Sequence, residues 1–237
     1  MIKYNLKINI IYNKMRLNVF YKNIFYETYK RNVHSQNGED GIIEELFKRL
    51  NIENGWVCEF GAWDGIHLSN TFNLVKKHFN AVFIEGDTEK YKDLLNTVNN
   101  NPSFKINPIC AYVDHNDTEN SLDNLLKTTN IPIDFDLLSI DIDSYDYQVW
   151  KSLSIYKPKI VIIEINSGID PNNKTYIHED GVCQGTGFMP TYLLGLEKGY
   201  TFLLHTGNMI FIRNDLVEKL NFPFPDNFLE NFRTIWL

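Results

Sequence analysis

The chain has 237 residues, 43% of them hydrophobic and 22% charged, and a formal net charge of −7. That length suits one substantial domain, and the composition is that of a folded rather than a disordered chain. The acidic balance argues against nucleic acid as the main partner, because duplex binding is driven by basic surface.

No apolar run approaches the length of a membrane span, and no continuous signal-peptide core opens the chain. Cys58, Cys110 and Cys183 are widely separated and form no CxxC pair. Cys58 and Cys110 lie in apolar, strand-like runs, which predicts buried, reduced thiols and a cytoplasmic location.

Residues 1–33 differ from the rest. Lys3, Lys7, Lys14, Arg16, Lys22, Lys30 and Arg31 face the single acid Glu27, with tyrosines and phenylalanines interleaved. The expectation is a basic aromatic extension packed on its own domain, residues 34–237. Contact with an anionic membrane surface, or with a neighbouring subunit in a homo-oligomer, is the alternative.

Ser35 to Gly41 reads as a polar glycine-bearing loop at a helix start, and Ile42, Ile43, Leu46, Phe47 and Leu50 place a helix over about Gly41 to Leu50. Strands are predicted at Trp56 to Phe60, Ala81 to Glu85, Lys105 to Tyr112, Phe135 to Ile140 and Ile160 to Ile165. Helices are predicted at Ser69 to Lys77, Glu89 to Asn99, around Leu122 to Leu126, and at Pro190 to Lys198. This alternation predicts an α/β fold, a doubly wound, Rossmann-like sheet. Tyr200 to His205 and Asn208 to Arg213 flank Thr206-Gly207 as a hairpin, which makes seven strands, mostly parallel, with an antiparallel C-terminal hairpin.

Two strand ends carry the clearest chemistry. Val57 to Gly65 and Val82 to Asp87 are apolar runs that each end in acid and glycine, the pattern of a nucleoside-binding unit. A pyrophosphate loop needs closely spaced glycines, whereas Gly61 and Gly65 have no glycine between them and the loop carries Glu59 and Asp64. Carboxylates repel a phosphate and suit a cationic ligand. S-adenosylmethionine (SAM) has no phosphate, a ribose diol for Glu85 to hold, an ammonium and a sulfonium.

The motifs Ser35-Gln36-x-Gly38-Glu39-Asp40-Gly41, Glu59 to Gly65, Ser69-Asn70-Thr71, Ile84-Glu85-Gly86, Leu138 to Asp143, Glu164-Ile165-Asn166 and Asn208 to Arg213 together resemble the FkbM-like branch of class I SAM-dependent methyltransferases. The resemblance covers roughly residues 33–216. It implies that Glu59, Gly61, Ala62, Asp64 and Gly65 hold the methionine part of SAM, that Glu85 takes the ribose, and that Ala111 and Tyr112 border the adenine. Gln36, Asn70 and Asp141 are implied for the methionyl carboxylate and amine. The Asp-x-Glu-Gly pattern of many relatives is replaced here by Asp141-Ile142-Asp143-Ser144-Tyr145-Asp146, a departure at the acceptor end.

Strands four and five should end in Asp141, Asp143, Glu164 and Asn166, hard oxygen ligands on one face that suit a divalent ion such as Mg or Mn. That placement is similar to the metal site of catechol-type O-methyltransferases. In the metal-free alternative, Asp141 binds the SAM amine, Asp143 caps a helix and Glu164 orients a sugar hydroxyl. His178, on the long loop after strand five, is a candidate general base beside Asp143 and Glu164.

The expected function is O-methylation of a sugar, sugar phosphate or surface-glycan precursor, with the loop from Ser167 to Met189 as the acceptor wall. A Rossmann-type NAD-dependent oxidoreductase and a catalytically silent SAM-fold subunit are the alternatives.

Overall fold

The computed structural model describes residues 24–224 and Leu229. The expectations for residues 1–23 lie outside that range.

Seven strands form one sheet: β1 (Trp56–Phe60), β2 (Asn80–Glu85), β3 (Lys105–Cys110), β4 (Leu137–Ile140), β5 (Ile160–Glu164), β6 (Tyr200–His205) and β7 (Asn208–Arg213). Their order is β3-β2-β1-β4-β5-β7-β6. The first five pair in parallel, and β7 runs antiparallel to both β5 and β6. The order reverses direction between β1 and β4. In a doubly wound sheet the crevice beyond the strand ends at such a switch point receives the ligand.

The helices are α1 (Ile24–Tyr29), α2 (Glu39–Leu50), α3 (Phe72–Val75), α4 (Thr88–Asn100), α5 (Leu122–Lys127), α6 (Asp146–Ser152), α7 (Phe188–Glu197) and α8 (Val217–Leu220). Central strands are apolar on both faces because helices cover both. On one face Val57, Ala81, Phe83, Leu137, Ile160, Ile162, Ile210 and Ile212 pack with α1, α2 and α3. On the other, Cys58, Phe60, Leu138, Ile140, Val161, Ile163 and Phe211 meet α5, α6 and α7, with Trp150 fully buried among them.

Most predicted elements stand within a residue or two of their expected bounds. The helix foreseen over Ser69 to Lys77 is only Phe72–Val75, because Ser69, Asn70 and Thr71 turn inward to a buried acid. Helix α6 had no periodic signal of its own and follows directly from the turn after β4.

Cys110 is a correction. It is exposed, not buried, since β3 is an edge strand whose outer face meets solvent, and an edge also tolerates Pro108. Cys58 is buried as expected.

Helix α1 belongs to the domain: Phe25 and Tyr26 are core residues, Phe25 lies 4.7 Å from the Phe222 ring, and the Arg49 guanidinium lies 4.9 Å over Phe25. Among the described residues no helix is long and apolar enough to cross a membrane.

Candidate active site

The polar N-terminal loop is a knot. One oxygen of the Asp40 carboxylate accepts the backbone N–H of Val33, His34 and Ser35, each at 2.8 Å, and Ser35 Oγ returns a bond from Asp40 N at 3.0 Å. Glu39, fully buried, takes Asn37 N at 2.8 Å and the Thr206 hydroxyl at 2.6 Å. The motif therefore ties the start of α2 to the β6–β7 turn. Gln36 is exposed on this loop, its carbonyl accepts from Asn32, and it does not line the cleft described below.

Glu59, at the end of β1, is 5% exposed and fully engaged. Ser69 Oγ donates at 2.6 Å, Thr71 Oγ1 at 2.5 Å and Asn70 N at 3.0 Å. Burial pushes its carboxyl up, and these donors pull it back. The expectation of a direct ligand contact is corrected here: Glu59 is the anchor of the Ser69-Asn70-Thr71 segment. Asn70 likewise turns inward and donates to Ser139 Oγ at 3.1 Å. Asp64 closes its own turn by accepting Ile66 N and His67 N, Ala62 is buried, and Gly65, at φ +76°, packs on Leu94 and Phe83.

Five of the predicted cofactor residues do meet. Gly61, Glu85, Ala111, Tyr112 and Asp141 line one cleft of about 490 Å³ beyond the ends of β1, β2, β3 and β4, with Gly86, Asp87, Lys90, Asp143, Ser144 and Tyr145. Glu85 accepts Trp63 N at 2.7 Å and Asp87 N at 2.8 Å. A carboxylate offers about four acceptor sites, so oxygen lone pairs remain for a ligand. Gly61 has φ +75°, and a Cβ there would stand 1.9 Å from Asp141 O. Only a bare backbone lets the two strand ends approach this closely. Gly61→Ala is expected to destabilise the protein by about 1–3 kcal/mol and to weaken cofactor binding, measurable by thermal unfolding and calorimetry; unchanged values for both would show that the contact relaxes freely.

Next to this cleft, Asp141, Asp143 and Glu164 bring one oxygen each to within 4.8 Å of one another. Asp143 has φ +60°, costly for a residue with a Cβ. Asp146 holds that turn, accepting Ile142 N at 2.8 Å and Ser144 N at 3.0 Å. The sequence reading gave Asp146 no role, yet an acid four positions after Ile142 at a helix start is a recognisable turn-capping pattern.

Burial, then repulsion from Asp146 and Asp143, pushes the Asp141 carboxyl up to about 7. Burial, then repulsion from Asp141, takes Glu164 to about 9. Their facing oxygens lie within 4.8 Å of each other. Burial raises Asp146 to about 6 against the pull of its backbone donors. Such a set binds a proton or a cation to relieve its repulsion.

A second cavity of about 430 Å³ continues from Asp143 over Asp146, Glu164, Ile165, Asn166, Gln184 and Gly185. Asn166 borders it, but its amide donates to Gln184 O at 2.8 Å and its oxygen accepts Gly168 N at 3.1 Å.

His178 is a further correction. It is 8% exposed; Gly185 N donates to Nδ1 at 3.1 Å, and Nε2 lies 3.3 Å from Asp180 Oδ1. With Nδ1 accepting, the neutral ring carries its proton on Nε2 and keeps no lone pair for a substrate proton. It fastens the acceptor-wall loop, and its edge rests against Tyr145, which stacks on His115 at 4.5 Å.

No protein-family model matches the chain, and no curated protein matches it. Solved structures do. The N-terminal domain of EvdMO1, crystallised in the presence of SAH and D-fucose, aligns over 77% of this chain and 84% of its own at 11% identity and a TM-score of 0.48. A putative O-methyltransferase from Klebsiella pneumoniae aligns over 80% and 86% at 10% identity and a TM-score of 0.49. Monomeric WbdD aligns over 78% of this chain at 13% identity and a TM-score of 0.48, and the chain spans 42% of that protein's length. The fold is α/β, a mostly parallel seven-stranded sheet closed by an antiparallel hairpin.

Proposed function

We propose that the chain is a SAM-dependent O-methyltransferase of the FkbM-like branch, acting on a hydroxyl of a sugar, sugar phosphate or surface-glycan precursor. The observation that carries this reading is the cleft at the switch point. Gly61, Glu85 and Asp141 line it, its charge is mostly negative, and it opens directly onto the Asp141, Asp143 and Glu164 carboxylates.

The residues fit the cofactor. Gly61 lets the ends of β1 and β4 close together beneath the cleft, Glu85 presents oxygens to a diol, and Asp141 presents one to an ammonium. A pyrophosphate would meet Glu85, Asp87, Asp141 and Asp143 with Lys90 as the one cation in the lining, which disfavours a dinucleotide. Bound SAM supplies an electrophilic methyl group on its sulfonium.

An alcohol attacks that methyl only as its proton leaves, so a base must stand at the acceptor. Glu164 and Asp141 are raised to about 9 and about 7 by burial and by repulsion among the acids, so each can carry a proton near neutrality. Beside a sulfonium both ionise more readily, and Glu164 then takes the hydroxyl proton. The same oxygens fit Mg or Mn, which would lower the pKa of the acceptor hydroxyl. Asp143 joins them through its left-handed turn.

Thermal stabilisation by SAM and SAH is expected, about 2.7 kcal/mol at a hundredfold excess over Kd, with none from NAD. Stabilisation by NAD alone would overturn the reading in favour of an oxidoreductase. SAM binding without turnover on a broad acceptor panel, with loss of a complex on deleting residues 1–33, would favour a silent subunit.

A further inference from the structure

The rim beyond β4, β5 and β7 carries a polar row on one sheet face. Ile140 pairs with Ile163, and Glu164 pairs with Asn208. Side chains alternate along strands, so Asp141, one residue past β4, Glu164 and Asn208 share a face. It is the face that buries Leu137, Ile160, Ile162, Ile210 and Ile212 lower down.

Asn208 stands apart from its neighbours. It is 4% exposed, and its carboxamide meets no hydrogen-bond partner among the described residues. Its amide atoms are not among those sealed from solvent without a partner, so a ligand can reach them. Its backbone is also held firmly. Thr206 N donates to Asn208 O at 2.9 Å, Thr206 Oγ1 donates to Glu39 at 2.6 Å, and His205 Nε2 lies 3.0 Å from Ser167 Oγ and 3.1 Å from Gly207 O.

We propose that Asn208 binds the methyl acceptor, donating from Nδ2 to an uncharged oxygen of a polyhydroxyl compound whose neighbouring hydroxyl meets Glu164. This rests on the methyl-transfer reading and narrows it. Ionised carboxylates only accept hydrogen bonds, whereas a hydroxyl-rich ligand also presents lone pairs that need a donor. Asn166 has already given its amide to Gln184 O, which leaves Asn208 as the free carboxamide of the row. The cavity beside Glu164 is lined by Asp143 and Asp146 and by no cationic side chain. A phosphate or carboxylate at the reacting end would be repelled there, so the acceptor is neutral at that end.

The test measures SAH release from the full chain with methyl glycosides of neutral hexoses and with the corresponding hexose phosphates, alongside SAH affinity by calorimetry. Wild type is expected to turn over the neutral series. Asn208→Ala and Asn208→Leu should each raise KM about tenfold, the loss of roughly one hydrogen bond, while kcat and SAH affinity hold. Leu keeps roughly the shape and removes the donor without adding charge, so it distinguishes donation from space filling.

A preference for the phosphates, or a wild type that binds SAH yet methylates neither series, overturns the acceptor class. Unchanged KM in both variants overturns the role of Asn208. Absence of SAM and SAH binding overturns the methyltransferase reading itself.

Discussion

Replacing Glu164 with alanine is expected to slow methyl transfer by about 10³-fold, within the range for loss of a positioned base, while SAM affinity stays nearly unchanged. The physical reason is location. Glu164 ends β5 and lines the second cavity but not the cleft that holds Gly61 and Glu85, so its removal takes away proton transfer without disturbing the cofactor walls. Asp143→Ala should also slow transfer, and because Asp143 lines the cofactor cleft as well as the second cavity it should weaken SAM binding too. Single-turnover rates and calorimetric SAM affinity separate the two effects. A large loss of SAM binding with intact chemistry in Glu164→Ala would place Glu164 in the cofactor site instead. A chelator that leaves the wild-type rate untouched would remove the divalent ion and leave the carboxylate base alone.

The strand ends were legible because their signals are local. Glu59 and Glu85 each follow an apolar run, and the hairpin around Thr206-Gly207 has alternating strands on both sides, so their positions follow from sequence periodicity. What those acids touch is not local. Glu59 is occupied by Ser69, Asn70 and Thr71, and nothing in the spacing distinguishes an acid that holds a ligand from one that holds a loop. Gln36 fails for the same reason: a polar residue in a knot looks identical whether it faces the cleft or the solvent.

Asp141, Asp143 and Glu164 were brought together correctly by the rule that sites lie beyond carboxyl strand ends. Asn208 was quoted only as part of a motif, since its place beside Glu164 depends on the antiparallel register of β7, which single-sequence reasoning does not supply. His178 looked like a base because histidine in a polar loop titrates near neutrality. Its Nδ1 is spent on the Gly185 amide, a bond formed only once the loop closes on itself.

The same carboxylates make stability depend on pH in an unusual direction. Asp141 and Glu164 have ordinary values of 3.8 and 4.5 and folded values of about 7 and about 9, so between those limits the folded protein binds more protons than the unfolded chain. Stability then falls as pH rises, by linkage. In chelator, Tm should decline from pH 5 to pH 9, a loss on the order of several kcal/mol.

Glu39 and Glu59, raised by burial, act in the same direction, and Lys198, lowered by burial, acts against it. Asp87, Asp114 and Asp215 are lowered and act below their ordinary value of 3.8. His34, lowered by burial and then by Lys76, opposes the trend only up to its ordinary 6.5. Between pH 7 and 9 the decline is the sum of the raised carboxyls, Asp141 and Glu164 together with the buried Glu39 and Glu59, and Glu164→Gln should make it shallower. Mn or Mg should restore Tm most strongly at pH 9, where the ligands have lost their protons. A chelated wild type whose Tm holds level or rises from pH 7 to 9 would show that the two carboxyls do not carry protons near neutrality in the folded protein.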